Sequence, residues 1–113
     1  NEDTFSEFRK ELTAHNEAEE QTLYESLKTD KKGKEMALVG TEEHRMGTAV
    51  LHKLEKATGE DWNVQLNLLK HLLEKHIEVE EAEIIPMAQK MLDKSEVDKI
   101  SEEFESIEEK LEK

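Results

Sequence analysis

The amino-acid sequence predicts an all-α protein, an up-down bundle of four helices, and three observations carry that expectation. Of 113 residues, 35% are hydrophobic and 40% charged, with only 4% aromatic. That balance suits amphipathic helices better than the aromatic, β-branched mixture of sheets. Apolar residues recur at three- and four-residue steps through most of the chain, the period of one helical face. Turn-forming residues gather between the periodic stretches. A chain of this length suits a single domain spanning residues 1–113.

The first helix is expected over about Thr4 to Leu27, where Phe5, Phe8, Leu12, His15, Glu19 and Leu23 share a face. Asp30-Lys31-Lys32-Gly33-Lys34 then offers a loop, with a glycine suited to a helix C-terminus. A second helix from about Lys34 to Lys56 puts Met36, Val39, His44, Gly47, Leu51 and Leu54 on or near one side. Thr58-Gly59-Glu60-Asp61 breaks the pattern again. A third stripe runs through Leu66, Leu69, Leu73, His76, Glu80, Ile84, Met87 and Met91. Pro86 falls inside it and predicts a kink or an early stop, because proline removes a backbone donor and crowds the carbonyl four residues back. Ser95, with Asp98 three residues on, reads as the N-cap of a fourth helix. Its seam of Val97, Ile100, Phe104, Ile107 and Leu111 is wholly apolar and suits either an internal face or a homodimer contact.

Sixteen basic residues against twenty-nine acidic ones leave a formal charge of -13. Such a surface repels phosphate backbones and anionic lipids, so nucleic acid and membrane are excluded as expected partners. The absence of cysteine removes disulfides, thiolate metal sites and iron-sulfur clusters together. No apolar run reaches the length of a membrane span, and the first residues carry no signal-peptide pattern, so a cytoplasmic location is expected. The chain does not begin with methionine, which predicts that an N-terminal segment is missing from it.

Against that background the polar intruders in the apolar stripes stand out. His15 and Glu19 are one helical turn apart, roughly 40° around the axis, and so lie over one spot. His76 and Glu80 repeat the arrangement, and His44 interrupts the second stripe. An ionised carboxylate is costly to bury unless it is paired or bound to metal. Two His-Glu pairs could satisfy each other by hydrogen bonds alone, but together with His44 they form a convergent set of imidazoles and carboxylates that points to metal. Nitrogen and oxygen donors without sulfur allow Fe, Mn, Zn or Ni. Bundle cores carrying inward carboxylates and helix-spaced histidines are also how di-iron carboxylate proteins are built, which favours non-haem iron.

Three segments sharpen this. His15-Asn-Glu-Ala-Glu19-Glu20 followed by Leu23-Tyr24, the Glu42-Glu43-His44 triplet, and His76-Ile-Glu-Val-Glu80-Glu81 leading to Pro86 occur in this order. Together they resemble the motifs of the hemerythrin-like HHE cation-binding domain family. The resemblance implies a hemerythrin-like bundle in which His15, His44 and His76 are terminal ligands while Glu19 and Glu80 bridge two irons. Some relatives place the last carboxylate one residue later, which would select Glu81, but Glu80 overlaps His76 better. The family's first helix, with its further histidine, has no counterpart before Phe5, so one metal or two remains open. One turn either side of His44 stand Gly40 and Thr48, neither a second histidine, which argues against the oxygen-carrier subclass. His52 and His71 fall off the metal-facing stripes and read as surface residues, and Tyr24, Trp62 and the methionines as packing.

The expected function is therefore that of a non-haem iron-binding protein that senses or binds iron, dioxygen or nitric oxide. An iron-dependent peroxide-consuming enzyme and a metal-free helical interaction module are the alternatives. The sequence offers no separate acid, base or substrate constellation, which favours a binding module over an enzyme.

Overall fold

Four helices follow one another through the computed structural model, which describes residues 2–112. Helix α1 is α-helical over Glu2–Glu19, passes through a π-helical turn at Glu20–Tyr24 and ends with Glu25–Leu27. Helix α2 covers Lys31–Lys56. Helix α3 runs over Gly59–Val79, takes a second π-turn at Glu80–Ile84 and continues through Ile85–Met91. Helix α4 is Lys94–Glu112. No strand occurs among the described residues.

The helix ends follow from local chemistry, in two places differently from expectation. The stretch expected as a loop is the first turn of α2. Asp30, in an extended conformation, accepts hydrogen bonds from the Lys32 and Gly33 backbone N–H groups at 3.0 Å, so it is an N-cap. Gly33 thus serves inside a helix rather than after one, and a β-carbon there would strike the Leu27 carbonyl oxygen. The start of α4 is set by Asp93 and not Ser95. Asp93 Oδ1 accepts from the Glu96 N–H at 2.8 Å while Glu96 Oε1 accepts from the Asp93 N–H at 3.1 Å, a reciprocal capping box. At the first residue of α3, Gly59 takes φ 59°, a left-handed conformation that side chains resist.

Pro86 does not stop α3. The Ile85 N–H donates to the Glu80 carbonyl five residues back, and the wider turn is complete before the proline, which then sits in the first turn of the following α-helical segment. The chain is helical on both sides of Pro86, so the proline costs one backbone donor within a continuous helix, and the irregularity is taken up by the π-turn.

Helix α1 packs along α4, α2 packs along α3, and the π-turn of α1 bears on α2. The seam of α4 is therefore internal to the chain, turned toward α1, although Val97 and Leu111 at its ends remain exposed. Two apolar clusters sit at opposite ends of the α1–α3 core. One gathers Tyr24, Leu27, Ala37, Ile84 and Ala88. The other gathers Val50, Leu51, Leu54 and Leu69, with Phe5, Leu12 and Trp62 packed against it. On each of the three helices the metal-type residues fall between the two clusters, so a polar layer is held between apolar plugs at either end.

Candidate metal centre

Glu19 is the middle of that polar layer, only 2% exposed. Its two carboxylate oxygens serve different partners. Oε1 lies 3.1 Å from His44 Nε2 and 3.4 Å from His76 Nε2, while Oε2 lies 3.4 Å from His15 Nε2. The His44 and His76 Nε2 atoms are 3.2 Å from each other. Glu80 Oε2 closes the group at 3.1 Å from His76 Nε2. All five residues named from the sequence thus meet in one place, contributed by three helices. Glu80, and not the exposed Glu81, is the carboxylate that reaches His76.

The far nitrogens of the buried histidines are also occupied. His44 Nδ1 is 2.8 Å from Glu20 Oε2, and His76 Nδ1 is 3.1 Å from Glu43 Oε1. Each contact crosses a helix interface, α1 to α2 and α2 to α3. A carboxylate on Nδ1 favours the tautomer in which Nδ1–H donates outward and the Nε2 lone pair faces in. Two inward lone pairs and an ionised carboxylate then confront one another, an arrangement that requires a proton or a metal cation between them.

Tyr24 enters the same layer through the π-turn. In an uninterrupted α-helix a residue five beyond Glu19 would stand roughly 140° away. The wider turn brings it back, and the fully buried Tyr24 oxygen lies 3.3 Å from His76 Nε2, with the ring stacked on His44 at 5.4 Å. Room for the ring comes from Gly40. Gly40 is buried on α2 where the periodicity had suggested Val39, and Val39 itself is 52% exposed.

The electrostatics follow from this crowding. Burial pushes the Glu19 carboxyl up, but hydrogen bonds from His15, His44 and His76 outweigh it and hold the group well below the ordinary carboxylate range. Hydrogen bonds to Glu19 and Glu80 raise His76 to about 10 against the opposing effect of burial. The hydrogen bond to Glu19 likewise raises His15. Burial raises Glu80, which also shares a hydrogen bond with Glu19, so the two carboxylates do not ionise equally. Burial raises the Tyr24 phenol as well.

A cleft of about 210 Å³ opens onto the cluster, walled by Leu12, Leu73, Ile77 and Ile85 and floored by His15, His44, His76 and Glu80. His52 and His71 are exposed and take no part, and Trp62 packs edge-on against Phe5 at 5.3 Å. Sequence reasoning missed Glu20, Glu43 and Tyr24. The two glutamates adjoin Glu19 and His44 in the chain and lie within the first and second motif segments. Their partners lie on other helices, however, so only packing shows the contacts.

The donor set fits a metal. Glu19, His44 and His76 each offer a ligand atom, as do His15, Glu19 and Glu80, and within each set these atoms lie within 4.8 Å of one another. No helix among the described residues is long and apolar enough to cross a membrane. Neither the curated proteins nor the solved structures yield a match to this chain. The family model described as the hemerythrin HHE cation binding domain matches residues 1–88, which hold every residue of the cluster. With its helical bundle and its buried histidine-glutamate layer in the matched region, the chain belongs to the hemerythrin HHE cation-binding domain family.

Proposed function

We propose that this chain holds non-haem iron through His15, Glu19, His44, His76 and Glu80, and that it binds or senses iron, dioxygen or nitric oxide. The observation that carries the reading is the division of Glu19. One oxygen faces His44 and His76, the other faces His15, and the two three-residue sets have Glu19 in common. That is the disposition of a carboxylate shared by two cations. Nitrogen and oxygen donors with no sulfur admit iron alongside manganese, zinc and nickel, and the shared inward carboxylate favours iron among them.

The remaining residues of the site have identifiable work. Glu20 and Glu43 hold the His44 and His76 rings with Nε2 inward, and Tyr24 closes the layer on the side away from the cleft. Leu12, Leu73, Ile77 and Ile85 give the cleft an apolar wall beside the cluster, with room for a small ligand. Bound iron would supply an open coordination position for such a small ligand and one-electron redox chemistry.

The test is elemental analysis of protein reconstituted with ferrous iron without oxygen, beside His76→Ala. Two irons per chain, the number of ligand sets, with loss in the variant, is the expected result. Iron at background in the unaltered protein would sink the proposal. Sustained peroxide consumption above that of free iron would move the reading from sensor to enzyme.

A further inference from the structure

We propose that α4, which lies beyond the family-matched residues 1–88, is part of the metal centre: Glu108 and Phe104 position His15 for coordination. The inference rests on the metal-binding reading above.

His15 differs from the other two histidines. Its side chain is 45% exposed, against 6% for His44 and 11% for His76. A half-exposed imidazole samples several rotamers and both tautomers unless something holds it, and ordering it on binding costs affinity. The holding contacts come from α4. Glu108 Oε2 lies 3.5 Å from His15 Nδ1, on the ring edge opposite the nitrogen that faces Glu19. Phe104, one helical turn earlier, packs its ring against the imidazole at 5.2 Å and 76°, edge to face.

A pattern emerges across the site. His44 has Glu20 on Nδ1, His76 has Glu43, and His15 has Glu108, while every Nε2 faces Glu19. In each case the outer carboxylate comes from a neighbouring helix. Such a carboxylate fixes the tautomer, orients the ring and strengthens the inward nitrogen as a ligand. Helix α4 thus supplies for the exposed histidine what the α1–α3 core supplies for the buried ones. Helix α4 packs along α1, and the Asp93–Glu96 capping box fixes where it begins.

Zinc, a diamagnetic ion that accepts the same donors, is the probe. Its affinity is measured by chelator competition in the unaltered chain and in the Glu108→Ala, Glu108→Gln, Phe104→Ala and Glu109→Ala variants, with helicity checked for each. Loss of an outer-shell partner typically weakens metal binding about 10–100-fold, and Glu108→Ala is expected within that range. Glu108→Gln keeps an oxygen that can accept from Nδ1–H and should recover most of the loss. Phe104→Ala should show a smaller loss, and Glu109→Ala, which removes the same charge beside the contact, none.

Imidazole nitrogen-proton correlation spectra of the zinc-loaded proteins give a second readout that a purely structural role for α4 would not produce. The His15 Nδ1–H signal should be lost to exchange in Glu108→Ala, with the His44 and His76 signals unchanged. Equal affinity and an unchanged His15 signal in both Glu108→Ala and Phe104→Ala would overturn the positioning role alone. Failure of the unaltered chain to take up either zinc or iron would overturn the metal reading and this role with it.

Discussion

Tyr24 and Gly40 occupy a single space: a β-carbon at position 40 would stand 2.6 Å from the Tyr24 phenol oxygen and 2.7 Å from two ring carbons. The ring cannot yield toward His44, on which it is stacked, nor toward the Leu27 and Ile84 side of its cluster. Gly40→Ala is therefore expected to destabilise the chain by about 1–3 kcal/mol, the usual cost of overpacking, despite alanine's better helix propensity. Urea denaturation measures it. A change smaller than about 0.5 kcal/mol would mean that the ring is not confined in this way.

Gly47 makes the opposite case on the same helix. It is buried at the edge of the cleft, yet nothing lies within 4 Å of where its β-carbon would be. Gly47→Ala should stabilise the chain by roughly 0.5–1 kcal/mol, because alanine loses less backbone entropy on entering a helix. Metal uptake should persist. A destabilised Gly47→Ala protein would show that the cleft is narrower than its open side suggests.

The stability of the metal-free protein should fall on both sides of neutrality. His76 is raised from 6.5 to about 10, so the stabilisation from its bonds to Glu19 and Glu80 is complete below about pH 6.5 and is lost as the pH rises through 10. Glu19 is lowered from 4.5, so its contribution is present above that value and is lost on acidification. Thermal melts across pH should therefore show an alkaline decline that His76→Gln reduces, the remainder coming from His15, whose pKa is raised by the same carboxylate. An unchanged alkaline limb in the variant would count against the assignment.

The same proton must leave before a cation takes its place at His76 Nε2. Metal uptake near pH 7 by the metal-free protein is expected to release protons, and affinity should rise with pH. Calorimetry in buffers of different ionisation enthalpy reads this directly. Uptake without proton release would place the metal elsewhere.

Bound metal should also stabilise the fold by mass action. At a hundredfold excess over the dissociation constant the gain is about 2.7 kcal/mol, seen as a higher Tm that a chelator reverses. His76→Ala should abolish the shift. A shift that survives in His76→Ala would indicate cation binding to the acidic surface rather than to the buried layer.

Much of the architecture was legible in the chain because it depends on local periodicity. The stripes through Phe5 and Leu12, Leu51 and Leu54, and Leu69 and Ile84 name three helices and most of the side each buries, although Phe8, Val39 and Leu66 on the same stripes are exposed. The pairs His15/Glu19 and His76/Glu80, each spaced by one turn, name the inner cluster for the same reason. The errors fall at boundaries and irregular turns. Gly33 and Ser95 looked like terminal residues, but the carboxylates of Asp30 and Asp93 are the groups that accept the free backbone N–H groups of the following turn. Pro86 predicted a kink or an early stop, and the helix takes an irregular π-turn ending at Ile84 in place of a stop.

The sequence by itself thus determined the helices, the apolar faces and the histidines and glutamates that interrupt them, since each of these rests on spacing within one helix. Only the tertiary structure decided that Glu20 meets His44, Glu43 meets His76 and Glu108 meets His15, and that a π-turn carries Tyr24 into the layer beside Gly40. The reason is physical: a contact between helices depends on their packing register and on every departure from the regular α-helical turn, and neither is encoded in the period of a single segment.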